Sequence, residues 1–277
     1  MQVLHRLTIS IFALCLISAG APAAPLATQE LIEKSGLAGQ LKELPGALQG
    51  SLGALRQQGA QIDAKFEKAW AEAIPAAYAT EKFVAAIDAG LQKLLTAEDT
   101  KFLLAHYNSP LGLRITEMEV AAAKPEAQAE TQAYAQKLMA DPSKHADRLA
   151  LYQEIDKATG ATTMVTEISM NVAVAMAIGM TSAMEGPKDL DTSAIRAKIE
   201  QQRFAISQQL ASMTLASFAY AYRDLKTEDL NAYLAFLNSP AAKKFNTGVG
   251  KLLGESLTSQ SEAFGKELAR NLGRKGV

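Results

Sequence analysis

The sequence predicts an all-α protein, a helical bundle built from two related helix–corner–helix units. Three observations lead to this prediction. Alanine is abundant, and leucine, glutamate, lysine and glutamine, which also favour helices, supply much of the remainder. The period-two alternation that is typical of β-strands is sustained nowhere in the chain. The tripeptide Asn-Ser-Pro occurs twice, at residues 108–110 and 238–240, each time between two helix-forming segments.

Residues 1–23 are predicted to be a cleavable signal peptide. Arg6 precedes an apolar run at residues 7–19, and Ala21-Pro22-Ala23 fits the A-x-A pattern of a cleavage site. The run is shorter than the ~20 apolar residues that a membrane-spanning helix needs. We therefore expect a periplasmic protein, with secretion as the alternative. The mature chain, residues 24–277, is expected to form a single helical domain without a transmembrane span.

The composition of this mature chain excludes several kinds of chemistry. Cys15 is the single cysteine and lies in the leader, so the mature protein would have neither a disulfide nor a thiolate. Loss of Arg6 leaves 27 Lys and Arg residues (28 − 1) against 29 Asp and Glu residues. A chain so close to neutral has no basic surface for nucleic acid, and we expect no nucleic-acid partner.

The two Asn-Ser-Pro tripeptides predict tight corners between helices. Asn often ends a helix in the left-handed conformation, Ser is a preferred N-cap, and Pro is tolerated at the first helical position. Each tripeptide is therefore expected to end one helix and to begin the next. The residues of these structural corners are Asn108, Ser109, Pro110, Asn238, Ser239 and Pro240.

The segments around the two corners match at a constant offset of 130 residues, from residues 95–115 to residues 225–245. Both segments have a Glu-Asp pair at the start of a short helix, then a Leu-Ala pair, the tripeptide, and a cation four residues after the proline. The shared positions are those that cap the helices and form their apolar stripe. We therefore predict an internal duplication, with units at about 61–124 and 191–254.

These residues resemble the domain of unknown function 2059, a family of secreted bacterial proteins. The resemblance rests on the Glu-Asp helix start, the apolar stretch, and Ser-Pro followed by small and basic residues. The segment "ELIEKSGLAGQLKELPGALQ", residues 30–49, also resembles the amphipathic leader that precedes this domain. The second copy departs from the pattern, with Ala242 in place of Gly112 and Leu237 in place of a tyrosine. The resemblance implies an all-α periplasmic fold and, because the family is uncharacterised, no catalytic residue.

The uncharged segment "ISMNVAVAMAIGMTSAM", residues 168–184, predicts a central helix that neighbours surround on all sides. Contact with a membrane is an alternative, although the segment is a little shorter than a spanning helix. A third interpretation is an adaptable wall for an apolar small molecule, because methionine side chains are flexible and polarizable. The residues expected to line it are Met176, Met180 and Phe204.

Residues 192–225 show a sustained helical period and are predicted to form the next helix. Asp191 or Thr192 is expected to cap its start, and the turn "GPKDLD" at residues 186–191 is expected to end the preceding helix. The apolar stripe of this segment consists of Ile195, Ile199, Ile206, Leu210, Met213 and Tyr220.

No combination of residues in the sequence indicates catalysis, a metal ion or a cofactor, and we assign no residue to these roles. The mature chain has two histidines. His106, which aligns with Phe236, is expected to pack half-buried, and His145 is expected at the surface. The sequence also lacks nucleophile motifs and glycine-rich phosphate loops.

The two Glu-Asp pairs are expected to stabilise their helix starts through the macrodipole. The alternative is that the two corners present matched acid and cation patches to a partner. That interaction patch would consist of Glu98, Asp99, Arg114, Glu228, Asp229 and Lys244.

By elimination, the sequence favours a non-enzymatic binding or interaction module of the cell envelope, with an envelope protein or an apolar small molecule as its partner. The first alternative is a carrier or sensor of an apolar small molecule that uses the methionine-rich helix. The second is a hydrolase whose site is assembled from residues that are distant in sequence. The sequence does not fix the oligomeric state.

Overall fold

The computed structural model describes residues 25–57, 62–185 and 191–273. Within these ranges the ordered elements are helices and no β-strand occurs, which confirms the all-α prediction. The predicted signal peptide and residues 186–190 of the predicted turn lie outside the described residues. The helices are α1 Pro25–Lys34, α2 Leu37–Gln57, α3 Ala64–Ala77, α4 Thr80–Leu94, α5 Ala97–Tyr107, α6 Pro110–Ala122, α7 Gln128–Met139, α8 Ala146–Thr159, α9 Ala161–Glu185, α10 Thr192–Glu200, α11 Arg203–Ala221, α12 Thr227–Leu237 and α13 Pro240–Gly273.

The longest helix, α13, is the axis on which the core is built. It makes its most extensive contact with α9, followed by α3 and α4. Trp70 of α3 packs edge-on against Phe264 of α13, with ring centroids 4.8 Å apart. Tyr78, which follows α3, shares a hydrogen bond of 2.8 Å with Ser261 of α13. All four of these side chains are buried, so the core follows α13 along its length.

Glycines allow α9 and α13 to run side by side in the same direction. A Cβ atom on Gly179 of α9 would lie 2.3 Å from the carbonyl oxygen of Glu262. A Cβ atom on Gly265 of α13 would lie 2.5 Å from the carbonyl oxygen of Met176. Both distances are well inside van der Waals contact, so the two backbones touch where these glycines cross.

The N-terminal helices α1 and α2 contain the amphipathic segment at residues 30–49. They are joined at Gly36, whose φ of 77° lies in the left-handed region that favours glycine. Thr28 of α1 donates a hydrogen bond of 2.5 Å to the Asp88 carboxylate of α4, which attaches α1 to the bundle. The buried apolar side chains of this segment include Leu31, Ile32, Leu37, Ala38 and Leu41.

At both Asn-Ser-Pro tripeptides one helix ends and the next begins, as predicted. The Ser109 hydroxyl accepts a hydrogen bond of 3.0 Å from the backbone N–H of Gly112. The Ser239 hydroxyl accepts one of 3.2 Å from the backbone N–H of Ala242. Both serines therefore cap a helix that starts at the following proline.

The left-handed conformation expected at the two asparagines is wrong. Asn108 has φ −89° and ψ −5°, and Asn238 has φ −78° and ψ −6°, so both are right-handed. The physical reason is the proline, which excludes the preceding residue from the helical region. Ser109 is accordingly extended, with ψ 156°. The chain changes direction at the serine, and the asparagine needs no positive φ.

Residues 192–225 do not form one continuous helix. Helix α10 ends at Glu200 and α11 begins at Arg203, and the bend between them allows both helices to contact α9. The start of α10 is capped by Asp191, whose carboxylate accepts hydrogen bonds of 3.0 Å from the backbone N–H groups of Ser193 and Ala194.

Helix α9 is less enclosed than the sequence predicted. Only 28% of its apolar window, Ala161–Thr181, is buried, although the mean hydropathy of that window is 1.4. The reason is that α9 packs closely on α13, while α10 and α11 cover the remaining faces incompletely. Within the described part of the chain, α9 is the one helix that is long and apolar enough to cross a membrane.

Candidate functional site

The cations of the predicted interaction patch each pair with the acid of the other corner. Lys244 Nζ lies 2.6 Å from Asp99 Oδ2, and Arg114 Nη1 lies 3.5 Å from Asp229 Oδ2. These two ion pairs join the two corners. Glu98 and Glu228 are exposed and lie outside these two pairs, and Arg114 is exposed although it is paired.

The three residues of the predicted methionine wall lie apart from the two cavities described below. Met176 and Met180 lie on α9 where its backbone meets Gly265. Phe204 lies near the start of α11, and 77% of its surface is exposed. Neither cavity is lined by any of these three side chains.

A cavity of about 630 Å³ lies between α2, α5, α6, α8, α9, α11, α12 and α13. Its volume falls within the range of small-molecule sites, and its lining is predominantly apolar. Among its described lining residues, Glu119 of α6 is the one charged group. Its aromatic lining residues are Tyr107, Phe218, Tyr222, Tyr233 and Phe245.

Two tyrosine hydroxyls hold the Glu119 carboxylate at the wall of this cavity. Glu119 Oε1 accepts a hydrogen bond of 2.5 Å from the Tyr222 hydroxyl and one of 2.9 Å from the Tyr233 hydroxyl. Tyr222 follows α11, Tyr233 lies on α12, and both are buried. The site is therefore assembled from three chain segments, and the orientation of Glu119 depends on the packing of α6 against α11 and α12.

Contacts with neighbouring residues fix the position of Tyr222. Its carbonyl oxygen accepts a hydrogen bond of 2.7 Å from Nη2 of Arg148, on α8. Its ring packs against those of Phe218, at 5.7 Å between centroids, and Tyr233, at 5.9 Å. Arg148 Nη1 also donates a hydrogen bond of 2.7 Å to the Leu225 carbonyl. Arg148 thus holds the connection between α11 and α12 and acts as a positioning residue for the cavity wall.

Burial governs the electrostatics of this site. It raises the pKa of Glu119, and the hydrogen bonds from Tyr222 and Tyr233 act in the opposite direction without cancelling it. Burial and the nearby Glu119 carboxylate also raise the pKa of Tyr107, Tyr222 and Tyr233. These tyrosines therefore stay neutral at physiological pH, and the hydroxyls of Tyr222 and Tyr233 act as donors to Glu119.

A second cavity of about 980 Å³ lies between α9, α10 and α13 and is more polar in character. It shares Thr159, Met164 and Asn246 with the first cavity. The amide nitrogen of Asn246 is buried without a hydrogen-bond partner among the described residues. The charged residues that line this second cavity are Glu167, Arg196, Lys251, Glu255 and Glu262. Acids and cations are therefore mixed in its lining.

In residues 25–57, 62–185 and 191–273, no group of three or more His, Cys, Asp or Glu side chains could hold a metal ion. The first cavity is the candidate site because its lining is predominantly apolar and its polar centre is Glu119 with the two tyrosine donors.

The sequence contained one signal for this site that our interpretation missed. Glu119 lies on the same helical face as Ile115, Met118 and Ala122, so it interrupts an apolar stripe with a carboxylate. A polar group in such a stripe needs a partner, because burial without a hydrogen bond is costly. The partners themselves carry no local signal, since Tyr222 and Tyr233 follow Glu119 by more than a hundred residues.

The fold and the cavity define the class of this protein. It is an all-α protein with an apolar cavity of small-molecule size, and one carboxylate lies among the described residues of the cavity lining. Residues 81–141 match the model of a family described as "Uncharacterized protein conserved in bacteria", DUF2059, which confirms the resemblance drawn from the sequence. The matched segment includes the first corner and Glu119. No curated protein and no solved structure matches the chain.

Proposed function

We propose that this protein is a non-enzymatic binding protein of the bacterial cell envelope, and that its partner is a small molecule with an apolar body. The observation that carries this proposal is the cavity of about 630 Å³ with Glu119 as its one charged lining residue among those described. An apolar cavity with a few convergent polar groups is the usual form of a small-molecule site. The site differs from the methionine wall that the sequence offered as an alternative.

The alternative of a protein partner at the corners receives less support from the geometry. Asp99, Arg114, Asp229 and Lys244 pair among themselves and bridge the two corners. A docking surface at this place would have to compete with those internal pairs. The cavity, in contrast, has unfilled volume next to a polar group.

A blocked cavity tests the binding proposal. Ala122 lines the cavity, whereas Ala121, its neighbour on α6, is exposed and does not line it. We expect Ala122→Phe to weaken binding of the neutral apolar dye Nile red at least tenfold and Ala121→Phe to leave it unchanged, in fluorescence titrations of variants with intact thermal transitions. Native mass spectrometry of periplasmic wild-type protein should show a small bound mass that Ala122→Phe loses. Equal dye binding by the two variants, without a bound mass in the wild type, would overturn the proposal.

We infer that residues 1–23 direct the chain to the periplasm. The A-x-A pattern and the short apolar run support this location, and the family is described as conserved in bacteria. Cell fractionation tests it, with N-terminal sequencing of the product. A mature protein that begins at Ala24 in the periplasmic fraction is expected, whereas an uncleaved chain in the cytoplasm would contradict the assignment.

We also propose that the two corner units, at about 61–124 and 191–254, are related copies that face one another across an approximate two-fold axis. Support comes from their reciprocal contacts. Asp99 of one corner pairs with Lys244 of the other, and Asp229 pairs with Arg114. The two pairs are equivalent, because Asp99 aligns with Asp229 and Arg114 aligns with Lys244 at the offset of 130 residues. A two-fold interface has this property, because residue i contacts j and j contacts i.

A segment exchange tests the duplication. Replacing residues 97–107 with the sequence of residues 227–237 should preserve a cooperative thermal transition, because related copies place equivalent side chains in equivalent environments. A control insert with the same composition in shuffled order should lose that transition. Loss of the transition in both chimeras would contradict the relationship.

A further inference from the structure

The carboxylate of Glu119 faces the cavity without a cation to balance it. Its Oε1 atom accepts both tyrosine hydrogen bonds, and Oε2 receives none from any residue that the structure describes. No ion pair of the described chain involves Glu119, and no described lining residue of this cavity is a Lys, Arg or His. A carboxylate in an apolar environment is stable only when it is paired or protonated.

Aromatic rings line the same cavity. Tyr107, Phe218, Tyr222 and Tyr233 contribute four of them, and Phe245 of α13 packs edge-on against Tyr107 at 6.2 Å between centroids. The face of an aromatic ring attracts a cation, and a set of such faces is the usual way in which ammonium groups are recognised. The aromatic rings and the single carboxylate therefore favour the same sign of charge.

We propose that the cavity binds a molecule with a positively charged amine on an apolar body, with the ammonium group next to Glu119 and the aromatic rings around it. This inference rests on the proposed small-molecule function and names its ligand class. An anionic ligand would be repelled by the carboxylate, and a neutral ligand would leave that carboxylate without a balancing cation. The apolar part of the ligand would contact the aliphatic lining, which includes Val165, Leu210, Leu237 and Val249.

Protonation of Glu119 provides a second signature of this ligand class. Burial raises the pKa of Glu119, so a proton occupies the carboxylate more readily there than in water. The titratable groups that face Glu119 are Tyr107, Tyr222 and Tyr233, whose pKa values are raised and which remain neutral. The described lining residues from α9 and α13 add no charge. An ammonium ligand must displace the proton, so its affinity should rise with pH until Glu119 is fully ionised.

Three probes of equal chain length test the proposal on the full mature protein by isothermal titration calorimetry. At pH 7.5 we expect octylamine to bind about tenfold or more tighter than octanol, and octanoate to bind most weakly. Glu119→Gln should abolish the preference for the amine, measured as the ratio of octylamine to octanol affinity within the same variant. Glu117→Gln, on the exposed side of α6, is the matched control and should retain the preference.

The outcomes separate this proposal from the one on which it rests. Equal affinities for the three probes would overturn the amine assignment and leave the cavity as a general apolar site. No binding of any probe would overturn both. If Glu119→Gln does not fold, the pH dependence of binding to the wild-type protein between pH 5 and 8 still tests the proposal. Amine affinity that rises with pH while octanol affinity stays constant supports the proposal, and parallel profiles overturn it.

Discussion

The imidazole ring of His106 lies flat on the ring of Phe236, with centroids 3.5 Å apart and planes inclined by 5°. The two residues occupy equivalent positions in the two matching segments, 130 residues apart. His106 is half-buried, as its alignment with an apolar residue predicted. Its Nε2 atom is buried without a hydrogen-bond partner among the described residues. The stack therefore places a titratable ring where the two corners meet.

His106→Phe should remove an acid-dependent loss of stability. Burial lowers the pKa of His106 from 6.5 to about 4, so the unfolded chain takes up a proton more readily than the folded one. The free energy of unfolding of the wild type should fall as the pH decreases from 6.5 towards 4. His106→Phe should lack this component in urea titrations across that range. His145→Gln, just before α8, removes a histidine that lies outside the stack and is the control. A His106→Phe profile parallel to that of the wild type would contradict the assignment.

Glu119→Gln should remove a contribution to stability that is lost as the pH rises, whereas the contribution of His106 is lost as the pH falls. Since the folded-state pKa of Glu119 is raised above its ordinary value of 4.5, the folded protein binds this proton more tightly than the unfolded chain. Its contribution to stability is fully present below pH 4.5 and is lost as the pH rises through the raised pKa. The difference in unfolding free energy between wild type and Glu119→Gln should therefore decrease from pH 4.5 upwards. A difference that is constant from pH 4 to 8 would contradict a raised pKa. Glu117→Gln is again the matched control.

Asp99→Asn should destabilise the protein at neutral pH by up to about 1 kcal/mol, because it removes the charge that pairs with Lys244. Burial opposes ionisation of Asp99, but hydrogen bonds from Lys244 and from the Thr96 backbone hold its pKa below 3.8. The stabilisation is present above pH 3.8 and is lost as the pH falls through the lowered pKa, so the two unfolding curves should converge in acid.

A double-mutant cycle with Lys244→Met isolates the Asp99 ion pair. The effect of Asp99→Asn should shrink in that background, and an unchanged effect would show that the pair contributes nothing. Asp229→Asn is the matched comparison, because its partner Arg114 is more distant, at 3.5 Å, and more exposed than Lys244. Its effect should be smaller than that of Asp99→Asn.

The sequence was sufficient for those features that depend on local chemistry. The serine N-caps at Ser109 and Ser239 follow from a hydroxyl before a proline, and the structure contains both. The conformation of Asn108 was predicted wrongly, because the constraint that proline places on the preceding residue already turns the chain. The bend between α10 and α11 has no Gly or Pro to mark it, and it depends on how both helices pack on α9.

The candidate cavity could not be located from the sequence. Its central hydrogen bonds join Glu119 to Tyr222 and Tyr233, so they depend on tertiary packing and on no periodic pattern. The sequence indicated the methionine-rich stretch as an alternative ligand wall instead, because the composition of that stretch is unusual. Gly179, within that stretch, is explained by the close approach of α9 to α13.

Ser109→Ala should cost about 1 kcal/mol of stability, because the backbone N–H of Gly112 loses its capping partner. Ser239→Ala should cost a similar amount at the second corner. The control is Ser212→Ala on α11, whose exposed hydroxyl donates to a carbonyl of its own helix and caps nothing. Pro110→Ala should be mild, since the first helical position tolerates other residues. Thermal melts in which the cap variants match Ser212→Ala would contradict the capping assignment.

Gly265→Ala should destabilise the protein, because its new Cβ atom would lie 2.5 Å from the carbonyl oxygen of Met176 and 2.9 Å from the backbone nitrogen of Met180. Backbone atoms cannot move aside as a side chain can, so α9 and α13 must separate along their contact. We expect a loss of about 1–3 kcal/mol in unfolding free energy, measured by urea titration. Gly50→Ala on α2 is the matched control, since beyond the adjoining turns of its own helix no atom lies within 4 Å of the added methyl group. That variant should gain roughly 0.5–1 kcal/mol from the better helix propensity of alanine. If Gly265→Ala were as stable as Gly50→Ala, the backbones of α9 and α13 could not be in contact at this crossing.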